Sequence, residues 1–335
     1  MKAIKLPVPH RLPLPYYLAA EEWAATCLEP DPGGYFFAWQ VHPTVICGRH
    51  QVMPLEVDLD YASARGIDVW RRKSGGGCVY ADDHNVMFSL ITSRADVGGG
   101  FAHYTSRICS MLHALGMEAE PTGRNDIAIR GRKVAGNAFY RMPRASIVHG
   151  TMLYDADPDT MSRVLTPARA KLLSNGVQSV PARITTLRRE GMTLGCDEFV
   201  ERATALICDG PTITVDAEQD RRIREIMLNY TDPAFLRRDE RSSLPLTRTE
   251  RIEGVGSVTV GLKLDARGCI ERLELSGDFF AEGDSADRAA EALRGVRADR
   301  QSVATRLDDI FGTRMPVAGL DTARLVELIT NTSNI

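Results

Sequence analysis

The sequence predicts a mixed α/β protein of the α+β type with two domains, and three observations carry that prediction. Its 335 residues are about twice the length of a typical domain. Segments rich in β-branched and aromatic residues alternate with segments of helical periodicity. A charged, proline-containing stretch at residues 236–248 separates a larger part from a smaller one. We therefore expect one domain at residues 1–240 and an accessory domain at residues 241–335.

The first half begins with a helix and continues with strands. Residues 16–28, YYLAAEEWAATCL, are good helix formers and end before Pro30. Aromatic and β-branched residues at 35–48 predict strands. Residues 101–116 have apolar side chains at helical spacing and close on Gly116, which predicts an amphipathic helix with a glycine stop.

A hairpin and a further strand follow that helix. Within residues 125–140, apolar residues alternate on both sides of Gly131, which predicts a β-hairpin. Residues 147–154, IVHGTMLY, predict a strand whose alternation places His149 and Thr151 on the same face.

The accessory domain is predicted to contain a hairpin and helices. Alternating apolar residues flank the turn sequence DARG at residues 265–268. Helical patterns follow around residues 307–311 and 322–330. This order indicates a small α+β domain of about 90 residues.

Bulk composition excludes several classes of protein. The chain is 44% hydrophobic and 25% charged with net charge −3, which is typical of a globular protein and indicates no nucleic-acid partner. It has no apolar run of about 18 residues and no signal-peptide pattern at the N-terminus, so we expect no membrane segment and a cytoplasmic location. Its seven cysteines are scattered and form no C-x-x-C pair, which predicts reduced thiols without disulfides or zinc.

Residues 70–80, WRRKSGGGCVY, form the first candidate functional segment. Consecutive glycines allow backbone N–H groups to converge on an anion, and the two arginines add permanent positive charge. The segment lacks the G-K-[ST] of a Walker A loop. An anion-binding loop and a tight turn that merely requires glycine both remain open. Cys78 is read as a small buried residue in preference to a nucleophile, because no histidine partner is close in sequence.

Residues 123–139, GRNDIAIRGRKVAGNAF, form the second candidate segment. Only six of the 41 basic residues are lysines, and one of them is Lys133 in this segment. The oxygens of Asn125 and Asp126 suit Mg²⁺ shared with a phosphate, or they cap a turn. Lys133 can neutralise a phosphate or the charge on an attacking carboxylate, or it is an exposed surface residue. His149 is a weaker candidate for a polar contact in the same pocket.

These two segments, together with HGTMLY at residues 149–154 and KLLSNGVQSVPARITTL at residues 171–187, resemble the lipoate–protein ligase A family. The resemblance covers about residues 30–190 well, and the accessory domain only in position and size. It implies the catalytic fold shared by biotin and lipoate ligases, with a mixed, largely antiparallel sheet. It also implies that ATP and lipoate give lipoyl-AMP, and that the lipoyl group then passes to a lysine of a carrier. The carriers implied are lipoyl domains of 2-oxoacid dehydrogenase E2 subunits and the glycine-cleavage H protein.

The resemblance also implies the roles of individual residues. Lys133 matches the family's central catalytic lysine, which contacts both substrates. The matched ATP-binding positions are Arg72, Gly77, Cys78, Val79, Tyr80, Asn125, Asp126 and Lys133. The matched lipoate-binding positions are Arg72, Ser74, Gly75, Gly76, Lys133 and His149. Asp126 is the matched position for Mg²⁺, and no tightly bound cofactor is implied.

The chain departs from the family pattern at Ala81, His84 and Tyr140, which leaves the details of substrate contacts open. Three alternatives also remain open. An octanoyltransferase would need a nucleophilic cysteine, but the loop EAEPTGRN has none and Cys196 lies far past the motif. A lipoyltransferase would use preformed lipoyl-AMP without making it. A non-catalytic relative would bind lipoate or a carrier only.

Overall fold

The structure is a computed structural model that describes residues 1–7, 12–93, 96–123, 125–166, 183–236, 244–312 and 316–333. The chain divides into two compact units. The first unit comprises residues 1–47, 54–72 and 78–236, and the second comprises residues 48–53, 73–77 and 237–335. The predicted boundary between residues 240 and 241 lies outside the described residues, as does the part of the family-like segment at residues 171–182.

Strands and helices are numbered in chain order across the described residues. The strands are β1 (Lys2–Lys5), β2 (Tyr35–Trp39), β3 (Thr44–Cys47), β4 (Asp68–Arg71), β5 (Val79–Ala81), β6 (Asn85–Ser93), β7 (Ala119–Thr122), β8 (Asp126–Ile129), β9 (Arg132–Arg141), β10 (Ala145–Leu153), β11 (Ile213–Thr214), β12 (Leu246–Ile252), β13 (Gly256–Leu264) and β14 (Ile270–Gly277). The helices are α1 (Leu14–Cys27), α2 (Met53–Glu56), α3 (Leu59–Ala64), α4 (Val97–Ala114), α5 (Pro158–Val164), α6 (Cys196–Ile207), α7 (Ala217–Thr231), α8 (Pro233–Leu236), α9 (Ser285–Ala292), α10 (Arg300–Phe311) and α11 (Thr322–Ser333).

The first unit is built on an eight-stranded mixed sheet in the order β11-β1-β2-β6-β10-β9-β8-β7. Strands β1, β2 and β11 pair in parallel, and the remaining pairs are antiparallel. The predicted hairpin is present as β8 and β9, and the predicted strand at 147–154 is present as β10. The expected largely antiparallel sheet is therefore confirmed.

Helix α1 is buried on almost all of its surface. It starts with Pro15 in its first turn, which suits a position whose N–H needs no helical partner. Its buried residues include two carboxylates, Glu21 and Glu22. Glu22 accepts a hydrogen bond from the hydroxyl of Tyr230 on α7 at 2.5 Å. Because a buried carboxylate is costly unless it is hydrogen-bonded, Glu21 also requires partners, and these lie in the candidate site.

Helix α4 begins four residues before the predicted start at residue 101. Asp96 caps it by accepting a hydrogen bond from the N–H of Gly99 at 2.6 Å. Glycines at 98–100 have low helix propensity, so the apolar pattern alone did not include them. A side chain at Gly100 would lie 2.6 Å from the ring of Phe139, so close packing against the sheet explains that glycine.

A smaller three-stranded sheet, β4-β3-β5, completes the first unit. Strand β3 pairs in parallel with β4 and antiparallel with β5. The segment WRRKSGGGCVY therefore begins in β4 and ends in β5. Arg72 directly follows β4, and its N–H donates to the carbonyl of Cys47 at 2.9 Å.

The second unit contains the antiparallel sheet β12-β13-β14 and the helices α9 to α11. Its core is formed by apolar residues of both the strands and the helices. The predicted hairpin is present as β13 and β14, with the carboxylate of Asp265 accepting from the N–H groups of Arg267 and Cys269 at the turn. The strand β12 was not predicted, because its first residues fall in the polar stretch assigned to the domain boundary.

Candidate active site

Lys133 lies near the start of β9, just after the turn at Arg130 and Gly131. Both turn residues have positive φ, of 52° and 72°, which explains the glycine there. The Lys133 ammonium lies 2.8 Å from the carboxylate of Asp126 on β8. The side chains are 39% and 32% exposed, so the pair contributes at most about 1 kcal/mol to stability. Its main effect is to fix where the ammonium lies.

Gly136 provides the space that the Lys133 side chain occupies. A Cβ at position 136 would lie 2.7 Å from Nζ and 2.9 Å from Cε of that lysine. Gly136 is paired directly with Asp126 across the strands, so the lysine lies over the glycine to reach the carboxylate. The sequence alone does not identify Gly136, because its importance depends on the conformation of the Lys133 side chain that lies over it.

Ile184 and Thr185 pair with the backbone of Lys133. The N–H of Thr185 donates to the carbonyl of Lys133 at 2.9 Å, and Lys133 forms a parallel bridge with Ile184. The buried carboxylate of Glu190 accepts hydrogen bonds from the hydroxyl of Thr185, at 2.7 Å, and from Arg132, at 2.5 Å. These contacts hold Arg132 and Lys133, the two residues that directly follow the turn.

A second group of polar side chains surrounds Glu21, which is 2% exposed. Its carboxylate accepts a hydrogen bond from the hydroxyl of Ser89 at 2.5 Å and contacts Nδ1 of His149 at 2.9 Å. The hydroxyl of Ser89 in turn accepts from the indole N–H of Trp39 at 2.8 Å. This network joins α1 to three strands of the large sheet. His149 was predicted from the sequence but Glu21 was not, because a glutamate inside a helix carries no local signal of burial.

The strand register places the two groups on the same face of the large sheet. Asp126, Gly136 and Thr151 form one row across β8, β9 and β10. His149 and Ser89 lie in a parallel row two residues further along. Residues two apart on a strand share a face and are about 7 Å apart. Asp126 and His149 therefore lie on one face of the sheet, two strands and two residues apart. Of the predicted residues, Lys133 and Asp126 are in direct contact.

Arg72 is a buried cation of the first unit. Its side chain is 5% exposed and donates from Nη1 to the carbonyl of Ile46 at 2.8 Å. Burial lowers the pKa of Arg72 to about 10, and the nearby Cys78, Cys47 and Glu21 partly oppose that shift. The guanidinium therefore keeps its charge at neutral pH. A buried positive charge next to the Glu21 network suits an anionic group.

The other predicted ATP-binding residues of the first unit have structural contacts. The amide of Asn125 donates to the carbonyl of Asn137 at 2.5 Å, so that side chain ties β9 to the loop before β8. Val79 and Tyr80 lie in β5, and burial together with Asp82 raises the pKa of the Tyr80 phenol. Their contacts with ATP remain a prediction.

The three departures from the family pattern have local structural contacts. Ala81 ends β5 and is fully buried. His84 lies in the turn between β5 and β6, where its N–H donates to the carboxylate of Asp82 at 2.9 Å. Tyr140 packs against the core of the first unit. None of these contacts identifies a change in chemistry.

The glycine run belongs to the second unit, where packing accounts for two of its members. A side chain at Gly75 would lie 2.4 Å from the carbonyl oxygen of Phe279, so only glycine fits. Gly76 has φ of 88°, and its N–H donates to the same carbonyl at 3.1 Å. The carbonyl of Ser74 accepts from the N–H of Arg49 at 2.9 Å. Anion binding by Ser74, Gly75, Gly76 and Gly77 stays a prediction.

Asp126 is the candidate ligand for a metal ion. No group of three or more His, Cys, Asp or Glu side chains within the described ranges is placed to hold a metal. Asp126 supplies one partly exposed carboxylate. Mg²⁺ commonly binds through one or two carboxylates together with substrate phosphates. Asp126 therefore fits a Mg²⁺ ion that arrives with a nucleotide, and it does not form a complete protein site.

Among the described residues, none of the cysteines with a shifted pKa is an activated thiol, because each of these pKa values is raised. Burial raises the pKa of Cys196 to about 11, and Gln40 contacts its sulfur at 3.4 Å. Burial raises the pKa of Cys109 and Cys208 to about 11 as well. A nucleophilic cysteine needs a thiolate, which such pKa values disfavour at neutral pH.

No helix in the described part of the chain is both long enough and apolar enough to cross a membrane.

Both parts of the chain are similar to known proteins. The model of the lipoyl protein ligase A/B catalytic domain matches residues 14–207, and that of the bacterial lipoate protein ligase C-terminus matches residues 244–329. Lipoate–protein ligase 1 of Staphylococcus aureus is 32% identical over 297 residues, which cover 87% of this chain and 89% of that protein.

Solved structures extend the comparison. LipL1 of P. falciparum, in complex with lipoate, covers 100% of this chain and 99% of its own with a TM-score of 0.77 and 16% identity. A lipoate–protein ligase A bound with ATP covers 70% of this chain and 98% of its own, with a TM-score of 0.61 and 23% identity. The bipartite lipoate–protein ligase of Thermoplasma acidophilum, described with its E2 lipoyl domain, covers 70% and 95%, with a TM-score of 0.61 and 25% identity.

Proposed function

Because the chain belongs to the lipoate–protein ligase family, whose catalytic-domain model matches more than half of it, we propose that it joins lipoate to carrier proteins at the expense of ATP. It is an enzyme of the ligase class. The observation that carries the residue-level proposal is the Lys133 ammonium, which lies over Gly136 beside Asp126. This lysine is partly exposed and therefore accessible to substrates.

In the proposed first step, a carboxylate oxygen of lipoate attacks the α-phosphorus of ATP. The bond to the bridging oxygen breaks, pyrophosphate leaves, and lipoyl-AMP remains. Both reactants are anions, so the enzyme must mainly align them and offset their repulsion. Lys133 can move from Asp126 to these oxygens by rotating its flexible side chain. Arg72, which is buried and charged, is proposed to hold one of the anionic groups.

In the proposed second step, the ε-amine of a carrier lysine attacks the carbonyl carbon of lipoyl-AMP. The bond between the acyl carbon and the phosphate oxygen breaks, AMP leaves, and the nitrogen loses a proton to give the amide. Lys133 is proposed to stabilise the negative charge that develops on the oxygens at the reacting carbon. His149, fixed by Glu21 on the same face of the sheet, is proposed to contact the acyl group. Mg²⁺ bound to ATP would supply charge neutralisation at the phosphates, and Asp126 would hold it.

The remaining contacts are proposed from the resemblance. Gly77, Cys78, Val79, Tyr80 and Asn125 are proposed to bind ATP. Ser74, Gly75 and Gly76 are proposed to bind lipoate. A domain boundary near residue 240 is proposed on the same basis. The use of ATP also fits the cytoplasmic location that the sequence predicts.

The acceptor is proposed to be a small carrier domain with an exposed lysine. The Thermoplasma relative supports a lipoyl domain of an E2 subunit in this role. The glycine-cleavage H protein is proposed as a second acceptor, since it presents the same modified lysine. Neither proposed acceptor is inferred from a feature of the second unit.

The direct experiment mixes the purified chain with lipoate, Mg-ATP and an apo lipoyl domain. We expect the domain to gain one lipoyl group, measured by intact mass, with release of pyrophosphate. Supplying lipoyl-AMP in place of ATP and lipoate should also give product. Modification with lipoyl-AMP alone, and none with ATP and lipoate, would show a transferase. Transfer from an octanoyl carrier without ATP would contradict the proposal.

A further inference from the structure

Two cysteine thiols of the first unit lie in contact across neighbouring strands. Cys47 is the last residue of β3, and Cys78 directly precedes β5. Their sulfur atoms are 3.0 Å apart, with the thiol of Cys78 donating to the sulfur of Cys47. Both residues are in the reduced form. The contact follows from the register, because Ile46 pairs with Val79 and places the two cysteines opposite each other.

We propose that Cys47 and Cys78 form an oxidation site, at which a peroxide converts the two thiols into one intramolecular disulfide. The oxidant acts as a small two-electron acceptor of the hydroperoxide class. The sequence predicts reduced thiols for this chain, and the proposed site is reduced until the oxidant is present.

The geometry requires only a small movement. Opposite residues of an antiparallel pair have Cβ atoms about 4.5–5.5 Å apart. A disulfide needs Cβ atoms about 3.5–4.5 Å apart and sulfurs about 2.05 Å apart. The sulfurs must therefore approach by about 1 Å from their distance of 3.0 Å.

Exposure decides which sulfur is oxidised first. Cys47 is fully buried, whereas Cys78 is partly exposed. The hydrogen bond to Cys47 and burial both raise the pKa of the Cys78 thiol, and the guanidinium of Arg72 opposes that rise. Oxidation by peroxide is therefore expected to be slow at neutral pH and faster at alkaline pH, because the thiolate is the reactive form.

The chemistry balances in two steps. The sulfur of Cys78 attacks a peroxide oxygen, the O–O bond breaks, and a sulfenic acid forms with release of one water from hydrogen peroxide. The sulfur of Cys47 then attacks the sulfenic sulfur and loses its proton. The S–O bond breaks, a second water leaves, and the S–S bond forms. Two thiols are oxidised by two electrons while one peroxide is reduced to two waters.

The test uses the full chain with hydrogen peroxide as the probe. Cys27 is exposed and lies on the same tryptic peptide as Cys47, between Arg11 and Arg49. We therefore use a Cys27→Ser chain, which retains six of the seven cysteines. After oxidation, the protein is unfolded and its remaining thiols are alkylated. The digest is then analysed by mass spectrometry with and without dithiothreitol.

The expected result is a fall from six alkylated thiols to four, reversed by dithiothreitol. The linked peptides should be residues 12–49 and 74–94. A chain that also carries Cys109→Ser is the matched control. Cys109 is buried and has a raised pKa, so its replacement should not change the formation of the disulfide. In a Cys47→Ser chain, dimedone should trap the sulfenic acid at Cys78.

Three results would overturn the proposal. They are six alkylatable thiols after peroxide, a disulfide that maps to other cysteines, and a sulfinic acid at Cys78 with Cys47 still reduced. The readout on the Cys47–Cys78 pair uses the Cys27→Ser chain, whose substitution is at an exposed position, and does not depend on how the Cys47→Ser and Cys109→Ser variants fold. It also does not depend on ligase activity, so the proposed function and this inference can fail separately.

Discussion

Replacing Gly136 by alanine should separate catalysis from stability in this enzyme. The added Cβ would lie 2.7 Å from Nζ of Lys133 and 2.9 Å from its Cε, whereas ordinary contacts start at 3.4 Å. The ammonium must therefore move by about 0.7 Å, which is the difference between the Nζ distance and that limit. Displacing a reacting group by about 1 Å can cost about 100-fold in rate. We expect the rate of lipoyl-AMP formation to fall by about 10- to 100-fold.

Stability should change little in the same variant. Lys133 can yield at the end of its flexible chain, and alanine is favoured over glycine within a strand by about 0.5–1 kcal/mol. The free energy of unfolding, measured in urea, should stay level or rise by that amount. Gly98→Ala is the matched control, since its nearest heavy atom would be 3.5 Å away, and it should keep full activity. Unchanged lipoyl-AMP formation by Gly136→Ala would refute the argument that this glycine positions the lysine.

Three further predictions concern Lys133, Glu21 and Cys196. Lys133→Ala should abolish lipoyl-AMP formation while lowering the free energy of unfolding by at most about 1 kcal/mol. Lys133→Arg should also form lipoyl-AMP slowly, because a planar guanidinium does not replace a single ammonium. Turnover by either variant at the rate of the wild type would contradict the assignment. Glu21→Gln should lower the free energy of unfolding in urea by about 1.5–3 kcal/mol and raise the KM for lipoate, because the buried carboxylate beside His149 and Arg72 loses its charge. An unchanged KM would show that Glu21 has only a structural role. Cys196→Ser should retain full transfer to an apo lipoyl domain, because burial holds the Cys196 pKa at about 11; loss of transfer with normal folding would instead support a cysteine-dependent transferase.

Local patterns were sufficient for much of the fold. The strand at 147–154 and the hairpin around Gly131 were both predicted from alternation, because each residue in a strand faces opposite its neighbour. The same alternation placed His149 and Thr151 on one face, and the register of β10 agrees. The beginning of α4 was missed, since its first turn is glycine and is held by the Asp96 cap and by packing on the sheet.

The site was predicted only in part, for a physical reason. Lys133 and Asp126 were named from the motif, but their contact depends on the pairing of β8 with β9 and on the space over Gly136. Glu21 lies 128 residues before His149, and no local pattern signals that the two meet. Contacts across strands and between a helix and a sheet arise from tertiary packing, so they could not be obtained from neighbouring residues alone.

The glycine run shows a different limit of sequence reasoning. Three glycines suggested a loop for binding anions, but a tight turn was an equal alternative. The close approach of Phe279 requires glycine at position 75, and a left-handed backbone favours it at position 76. A sequence shows that glycine is present, whereas only the neighbouring backbone shows why.

The central claim is that this chain activates lipoate with ATP at Lys133. The most direct measurement is exchange of labelled pyrophosphate into ATP by the purified chain, with lipoate and Mg²⁺ but without any carrier protein. We predict exchange that requires lipoate and disappears in Lys133→Ala. Absence of exchange in the folded wild-type chain, together with transfer from preformed lipoyl-AMP, would contradict the claim.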